Sequence, residues 1–297
     1  MKNNNRVLWL AVLIAISIQY PAYAHPGKTN AEGCHTNRKT GEYHCHKSHS
    51  QKESQAAPLT EPVGTEASKA TTDVARTGNI LKLDYPGFTV WLDCSQRGAI
   101  KFQYVAQHDN GNAKRYDKFF LDPNVPAECQ QFSSQAYGMK YDRGHQVPAN
   151  HLDASKDAIK ATNTMTNILP QAANMNRGAW LQTEEIIECY RDIDELLVIG
   201  GVIWGNNLAD DYFVQSHGVK TPDAYWKVVI RGTGQDERVI AWIVPNTQEA
   251  TRKHLDQYLV SVDEIERVTG EKIPVADYAK HDKLGQSWMI PVGCNKG

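Results

Sequence analysis

One segment of this chain cannot form a core, and it divides the sequence into three parts. Residues 50–77 are rich in Ala, Thr, Ser, Glu, Gln and Pro and contain almost no large apolar side chains. Such a composition buries too little apolar surface to offset the entropy of ordering, so it predicts a flexible linker. A short segment, residues 25–49, precedes the linker, and a segment of globular composition, residues 78–297, follows it. Only the last segment is long enough to bury a sizeable core.

The first 24 residues have the pattern of a secretory signal peptide. Lys2 and Arg6 supply positive charge, and a nearly unbroken apolar run extends over residues 7–18. Small side chains follow within residues 22–24, where a signal peptidase reads the chain, so the mature protein is expected to begin at His25. The apolar run is shorter than the roughly 20 residues that span a bilayer. We therefore predict a secreted or periplasmic protein with no membrane span after cleavage; an uncleaved anchor is the alternative.

All six cysteines lie after the predicted cleavage site, so an exported protein is able to pair every one of them. Cys34 and Cys45 are close in sequence and form the most plausible local pair. The other four predict two bridges in the main domain, without fixing which pairs form. They are Cys94, Cys129, Cys189 and Cys294.

Net charge argues against one class of nucleic-acid protein. The chain has 32 basic and 34 acidic residues, and removal of Lys2 and Arg6 leaves 30 against 34, a formal charge of −4. A protein that coats nucleic acid stoichiometrically is usually basic. An enzyme that must release its products needs basic residues only near its site, where a divalent ion adds positive charge.

Hydrophobic periodicity after the linker predicts strands in hairpin-like pairs. Ile100, Phe102 and Tyr104 are expected to share one face of their strand, and a bend is expected at Gly200–Gly201. The predicted strands cover residues 88–92, 100–105, 196–204, 225–230 and 239–244.

Helices are interspersed with these strands. Ser261 and Glu264 form a candidate capping box for the last helix, and Gly270 is expected to end it. The predicted helices cover residues 177–191, 247–260 and 263–268. Interspersed helices and hairpin-paired strands indicate an α+β domain.

Two polar stretches contain the side chains that phosphodiester hydrolysis requires. The first, residues 141–148, brings Asp142, Arg143 and His145 within four positions, and the second, residues 163–184, begins with an amide-rich segment. A neutral imidazole accepts the proton of an attacking water near pH 7. Guanidinium groups and a divalent ion hold the phosphate and stabilise the departing oxygen.

Asn176 stands at the start of the helix predicted over residues 177–191. At helical spacing it shares a stripe with Trp180 and Ile187, which are expected to anchor the turn that presents the amide. An amide oxygen suits a hard ion such as Mg²⁺, which keeps most of its waters. A plain helix cap is the alternative role for an asparagine at this position.

From residue 85 to residue 270 the sequence resembles the DNA/RNA non-specific endonucleases, the ββα-metal nucleases that include endonuclease G. The resemblance rests on the two polar stretches and on the Gly-Ala-Trp step that follows Asn176 and Arg177. It implies a central antiparallel sheet flanked by helices, with the metal-binding helix carrying the site. It also implies that His145 is the general base and that Asn176 holds Mg²⁺, with Mn²⁺ or another divalent ion as a substitute. DNA and RNA are the implied substrates, and a homodimer is a common assembly.

The resemblance extends to side chains around these two. Arg115 and Arg143 match residues that contact the scissile phosphate. Glu184 matches a glutamate near the waters of the metal, although eight residues of helix place it about 12 Å from Asn176, too far for both to ligate one ion. A solvated glutamate on the helix surface is the alternative. The amides that order the site are matched by Asn163, Asn167 and Gln171.

Asp142 is expected to orient its neighbours, and a simple ion pair with Arg143 is the alternative. With His145 as base, the predicted reaction is in-line attack of water on phosphorus, leaving 5′-phosphate and 3′-hydroxyl ends. Because the nucleophile is water and not a 2′-hydroxyl, DNA and RNA are both expected substrates. Two other classes stay open: an inactive exported DNA-binding module and a periplasmic metal-binding protein.

Residues 25–49 hold five of the eleven histidines and resemble the small YHYH-type domain of some exported bacterial proteins. About 25 residues are too few for a stable hydrophobic core, so a covalent or metal staple is needed. A Cys34–Cys45 disulfide fits an oxidising compartment. A Zn²⁺ site and a disordered histidine-rich tail are the alternatives. The zinc ligands would come from Cys34, His35, His44, Cys45 and His46.

Overall fold

The computed structural model describes residues 73–296 and, in the N-terminal part, the backbone of two short strands. Residues 1–66 and 67–297 form separate units. In the first unit, β1 (Cys34–Thr36) pairs antiparallel with β2 (Tyr43–Cys45), and Cys34 lies opposite Cys45 in the register. The cysteine and histidine side chains, and His46 altogether, lie outside the described residues, so the predicted disulfide and the zinc alternative stay predictions.

A seven-stranded, fully antiparallel sheet forms the centre of the second unit, in the order β11-β10-β9-β6-β5-β4-β3. It contains all five predicted strands. An apolar cluster covers each face, one built around Phe102 and Trp180 and the other around Trp226 and Ile265. The strands are β3 (Asp73–Thr77), β4 (Ile80–Tyr85), β5 (Phe88–Asp93), β6 (Gly98–Ala106), β9 (Leu196–Ile203), β10 (Ala224–Arg231) and β11 (Arg238–Pro245).

A bulge in β6 changes the face predicted for Ile100. Phe102 and Tyr104 are buried as expected, whereas Ile100 is only half-buried and Ala99 takes the buried position. The register between β5 and β6 shifts at Trp91, which leaves Ile100 as the extra residue. A bulge of this kind moves one side chain out of the alternation, which the sequence pattern does not reveal.

Gly200 and Gly201 do not interrupt β9, which pairs with β10 through its whole length. A Cβ on Gly200 would lie 2.3 Å from the Phe102 ring, and one on Gly201 would lie 2.1 Å from the carbonyl oxygen of Ile100. The two glycines therefore allow close packing within an uninterrupted strand.

Strand β3 lies within the last five residues of the predicted linker. Its residues from Val74 to Thr77 are exposed, so the strand is held by backbone pairing with β4 at the edge of the sheet. Because it buries almost no apolar surface, its composition resembles that of a linker.

The predicted helix over 177–191 begins earlier than expected and is irregular. It consists of α2 (Ala173–Met175), a π-helical turn (Asn176–Trp180) and α3 (Leu181–Arg191). The last predicted helix is confirmed as α5 (Val262–Thr269), with the Ser261 hydroxyl accepting from the Glu264 amide and Gly270 in the left-handed conformation. The remaining helices are α1 (Lys156–Ala161), α4 (Val214–His217) and α6 (Asp277–Lys280).

The helix predicted over residues 247–260 is wrong. Residues 247–251 form a turn, and only Arg252–Tyr258 coils, as a 3₁₀ helix. The Ala250 carbonyl accepts a hydrogen bond from the Ala179 amide at 3.3 Å. The Ala250 carbonyl thus bonds the π-helical segment instead of an amide further along residues 247–260.

A second, two-stranded sheet positions the polar motifs. Strand β7 (Tyr141–His145) pairs antiparallel with β8 (Ile168–Ala172), and α2 follows β8 directly. Two disulfides, Cys94–Cys129 and Cys189–Cys294, confirm the expectation of two bridges in the main domain. No helix within the described residues is long and apolar enough to cross a membrane.

Candidate active site

The pairing of β7 with β8 explains the glycine in the Asp-Arg-Gly-His motif. Gly144 lies opposite Leu169, and a Cβ on it would lie 2.2 Å from the Gln171 side chain. The Gln171 amide in turn donates to the carbonyl oxygen of His145 at 3.4 Å. Trp180 Nε1 donates to the same carbonyl at 3.3 Å. The backbone of His145 is thus held by one residue from β8 and one from the π-helical turn.

Asn163 determines which nitrogen of His145 carries the proton. Its amide nitrogen donates to the carbonyl oxygens of Tyr116 and Lys118, so its oxygen faces His145 Nε2 at 2.8 Å. An amide oxygen only accepts, and the His145 Nε2 must therefore be the donor. The lone pair of the neutral imidazole then lies on Nδ1, which has no hydrogen-bond partner within the described part of the chain.

Burial keeps His145 neutral. Its side chain retains some solvent contact, but the surrounding protein lowers its pKa to about 4. The hydrogen bond to Asn163 opposes this shift, whereas the positive charges of Arg115 and Arg143 add to it. At neutral pH the imidazole is therefore available as a proton acceptor.

Asp142 orients Asn176. The Asp142 carboxylate accepts from Asn176 Nδ2 at 2.9 Å and from Arg177 at 2.8 and 2.6 Å. Its ion pair is therefore with Arg177 and not with Arg143. Because the amide nitrogen is engaged, the Asn176 Oδ1 points away from Asp142, and it accepts no hydrogen bond within the described residues. The π-helical turn that carries Asn176 is a feature frequent at functional sites.

A cavity of about 240 Å³ joins these groups. His145 and Asn176 both line it, as do Glu184 and the arginines at positions 115 and 143. Arg143 stacks on the Phe119 ring at 4.0 Å and donates to the Ser134 carbonyl at 2.8 Å, while Arg115 is exposed at the rim. The predicted base, metal ligand and phosphate contacts thus come together in one place.

A buried lysine behind the cavity was missed at the sequence level. Lys227 is fully buried in β10, lies 3.8 Å over the Trp180 ring and donates to the Thr183 hydroxyl at 2.7 Å. Burial raises the pKa of Glu184 to about 7, and the positive charge of Lys227 opposes that rise. Burial lowers the pKa of Lys227 to about 8, opposed by Glu184. A lysine inside an otherwise apolar strand is the signal that would have drawn attention to it.

The remaining predicted amide, Asn167, lies beneath the site and not in it. It is fully buried, accepts from the Val147 amide at 3.0 Å and donates to the carbonyls of Val147 and Thr162, both at 2.9 Å. It therefore fastens the segment after His145 to the segment before β8.

His151 forms the inner wall of the cavity and was also missed. It is buried, with Nδ1 2.7 Å from the Tyr104 hydroxyl and Nε2 3.2 Å from the Glu184 carbonyl. Beside it, Arg191 pairs with Glu188 at 2.6 Å. The two contacts of His151 link the α3 segment that carries Glu184 to Tyr104 of the sheet.

Comparison with known proteins identifies the family to which this fold belongs. The family model described as DNA/RNA non-specific endonuclease matches residues 66–281. The chain belongs to this family. The resemblance that the motifs indicated is thereby confirmed, and so is the α+β fold with its antiparallel sheet.

Relatives share the central part of the chain. A nuclease of Nostoc sp. is 32% identical over 171 residues, which cover 54% of this chain and 60% of the relative. A nuclease of Serratia marcescens is 30% identical over 50% of this chain and 57% of its own length. Human mitochondrial nuclease EXOG is 26% identical over 53% of this chain and 46% of its own length. The matches thus span about half of the length of these relatives.

A solved structure of the EndoG/EndoGI complex shares the fold. It superposes with a TM-score of 0.53 and 17% sequence identity, covering 64% of this chain and 83% of the other. At this identity the likeness concerns architecture alone.

Proposed function

We propose that this chain is an exported endonuclease that hydrolyses phosphodiester bonds of DNA and RNA, with His145 as general base and one hydrated divalent ion held by Asn176. The observation that carries the proposal is the arrangement of His145. A neutral imidazole with its Nε2 proton on Asn163 and a free Nδ1 lone pair lines the same cavity as the amide oxygen of Asn176. Binding alone does not require a base arranged in this way.

His145 Nδ1 takes the proton of the attacking water, and the Asn163 oxygen stabilises the resulting imidazolium through the Nε2–H bond. Arg143, held by Phe119, and Arg115 at the rim neutralise the phosphate. Water displaces the 3′ oxygen in line, so the products carry 5′-phosphate and 3′-hydroxyl ends. Since no 2′-hydroxyl takes part, both DNA and RNA are substrates; products with 2′,3′-cyclic phosphate would contradict this.

The donor set fits Mg²⁺, with Mn²⁺ or another divalent ion as a substitute. The Asn176 oxygen is free, and the carboxylate of Glu184 lines the same cavity; both are oxygen ligands of the kind that hard ions prefer. Asn176 would hold the ion directly and Glu184 through its waters. When bound, the ion supplies positive charge that stabilises the transition state and the departing oxygen.

The proposed organisation comprises a signal peptide (1–24), a Cys/His-rich module (25–49), a linker (50–77, with β3 at its end) and the nuclease domain (78–297). The Cys94–Cys129 and Cys189–Cys294 bridges support a secreted or periplasmic location, because such bonds persist in oxidising compartments. Light scattering of the purified protein tests the homodimer that the family resemblance implies.

The test uses the protein without residues 1–24, incubated with supercoiled plasmid and with RNA, in Mg²⁺ and in EDTA. We expect both substrates to be cut only with metal, and His145→Ala to abolish cutting. His281→Ala is the matched control, because this exposed histidine lies on the Asp263 carboxylate and outside the cavity lining. If nothing is cut but DNA is retained in a gel, the chain is a binding module and the proposal fails.

A further inference from the structure

The C-terminal segment, residues 284–296, is fastened to the active-site helix; we call it the C-terminal strap. Trp288 packs on Tyr190 of α3 with ring centroids 5.0 Å apart, and the Tyr190 hydroxyl donates to the Met289 carbonyl at 3.1 Å. The Cys189–Cys294 disulfide adds a covalent link to the same helix. The strap lies beyond residues 66–281, which match the family, so its role does not follow from family membership.

The strap brings Lys296 to the cavity. Lys296 lines the cavity with His145 and Asn176, and its ammonium group lies 3.3 Å from Glu185 on α3. About half of its side chain, 49%, remains exposed. Of the four cationic side chains that line the cavity within the described residues, Lys296 alone comes from outside the family-matched region.

Glu185 does not neutralise Lys296 fully. Its carboxylate already accepts two hydrogen bonds from Arg252, at 2.6 and 2.7 Å. Two cations therefore share one carboxylate, so Glu185 alone does not neutralise both of them. An ammonium group has three donors, so Lys296 is able to bind an additional anion without leaving Glu185.

The disulfide explains why Lys296 stays there. Glu185 and Cys189 are four residues apart and share one face of α3. Cys294 is two residues before Lys296, and two residues span at most about 7 Å. Without the bridge, the Lys296 side chain would sample many positions, since its contact with Glu185 is solvent-exposed and weak.

We propose that Lys296, held by the Cys189–Cys294 bridge, binds a backbone phosphate of the nucleic acid that flanks the scissile bond. The proposal rests on the nuclease function proposed above. Glu185 follows Asn176 by nine residues, about 13 Å along the helix. Lys296 pairs with Glu185 and so lies beside a later turn of α3 than Asn176, and a phosphate of a neighbouring nucleotide is its partner.

The first experiment compares Lys296→Ala with Lys272→Ala. Lys272 is an exposed lysine that also pairs with a glutamate, Glu266, at 3.4 Å, and it does not line the cavity. On long DNA we expect Lys296→Ala to raise KM about two- to fivefold at low salt. The slope of log KM against log salt concentration should fall by about 0.9, the value for one lost phosphate contact. Bis(p-nitrophenyl) phosphate has no flanking phosphate, and its hydrolysis should not change.

Binding measured without cleavage separates this proposal from the nuclease function. In the His145→Ala background, fluorescence anisotropy with labelled DNA should give the same change in salt slope on Lys296→Ala. A slope equal to that of Lys272→Ala overturns the role of Lys296. If the parent enzyme cuts neither substrate, the nuclease proposal fails, and the anisotropy result still tests the phosphate contact.

The tether is tested by a double-mutant cycle. Replacing both cysteines (Cys189→Ser with Cys294→Ser) should raise KM on long DNA as much as Lys296→Ala does. Adding Lys296→Ala to that variant should then raise KM little further. If Lys296→Ala raises KM as much in the variant without the bridge as in the parent, the bridge does not position the lysine. Lys296→Ala leaves the disulfide intact, so the comparison with Lys272→Ala still tests the phosphate contact if the cysteine variant folds poorly.

Discussion

Asp142→Ala is expected to weaken the metal response of the enzyme without removing a metal ligand. In the structure the Asp142 carboxylate engages the amide nitrogen of Asn176 at 2.9 Å, which turns the amide oxygen away from it. Removing the carboxylate frees both the χ1 angle and the orientation of the amide. Two χ1 wells are open to a helical residue, and the amide has two orientations in each. The fraction of molecules in which the Asn176 oxygen is directed to the ion therefore falls to about one in four.

The orientation effect alone predicts about a fourfold rise in the Mg²⁺ concentration that gives half-maximal activity. Asp142 also supplies a negative charge close to the proposed ion. Removing a partner that orients a metal ligand typically costs about 10- to 100-fold in metal affinity or activity. We therefore expect a shift within that range for Asp142→Ala. Asp142→Asn keeps an acceptor and loses the charge, so its shift should be smaller and should separate the two effects.

The assay is a Mg²⁺ titration of DNA cleavage, with Mn²⁺ binding followed by electron paramagnetic resonance as a readout independent of activity. Arg177→Ala is the control, because it removes the ion pair of Asp142 but leaves the hydrogen bond to Asn176 intact. At saturating Mg²⁺ the cleavage rate of Asp142→Ala should be close to that of the parent. The reasoning is refuted if the Mg²⁺ concentration at half-maximal activity rises less than about twofold in Asp142→Ala, or if it rises equally in Arg177→Ala.

Two further predictions concern stability. Gly144→Ala places a Cβ 2.2 Å from Gln171, so the free energy of unfolding in urea should fall by about 1 to 3 kcal/mol; Gly285→Ala meets no atom within 4 Å, and an equal loss there would contradict the packing argument. Burial and the charge of Arg191 lower the pKa of His151 well below 6.5. In this pH range His151 binds a proton in the unfolded chain but not in the folded chain. Between pH 6.5 and 5.5 the free energy of unfolding of the parent should therefore fall by about 1 kcal/mol more than that of His151→Gln. A constant difference between the two would mean that the folded chain protonates His151 as readily as the unfolded chain does.

Local pattern was sufficient for the five predicted strands and for α5. Strand β10 is apolar except for Lys227 and the terminal Arg231 and lies beside a turn, and α5 has a capping serine at Ser261 and a terminating glycine at Gly270. The failures occurred where a segment is held by backbone contacts with another segment. Residues 247–260 have a helical pattern, but the Ala250 carbonyl bonds Ala179. Strand β3 has no buried face and depends on pairing with β4.

The sequence by itself determined the chemical types at the site, because the motifs are short and the residues they contain, such as His145 and Asn176, are defined within a few positions. Only the tertiary structure decided how these side chains are oriented. Asn163 assigns the proton of His145 from 18 residues away, and Asp142 turns the amide of Asn176 from 34 residues away. Lys296 reaches the cavity through a bridge that links residues 105 apart. Such contacts arise when the chain closes long loops around one core, and no local periodicity encodes which distant groups then meet.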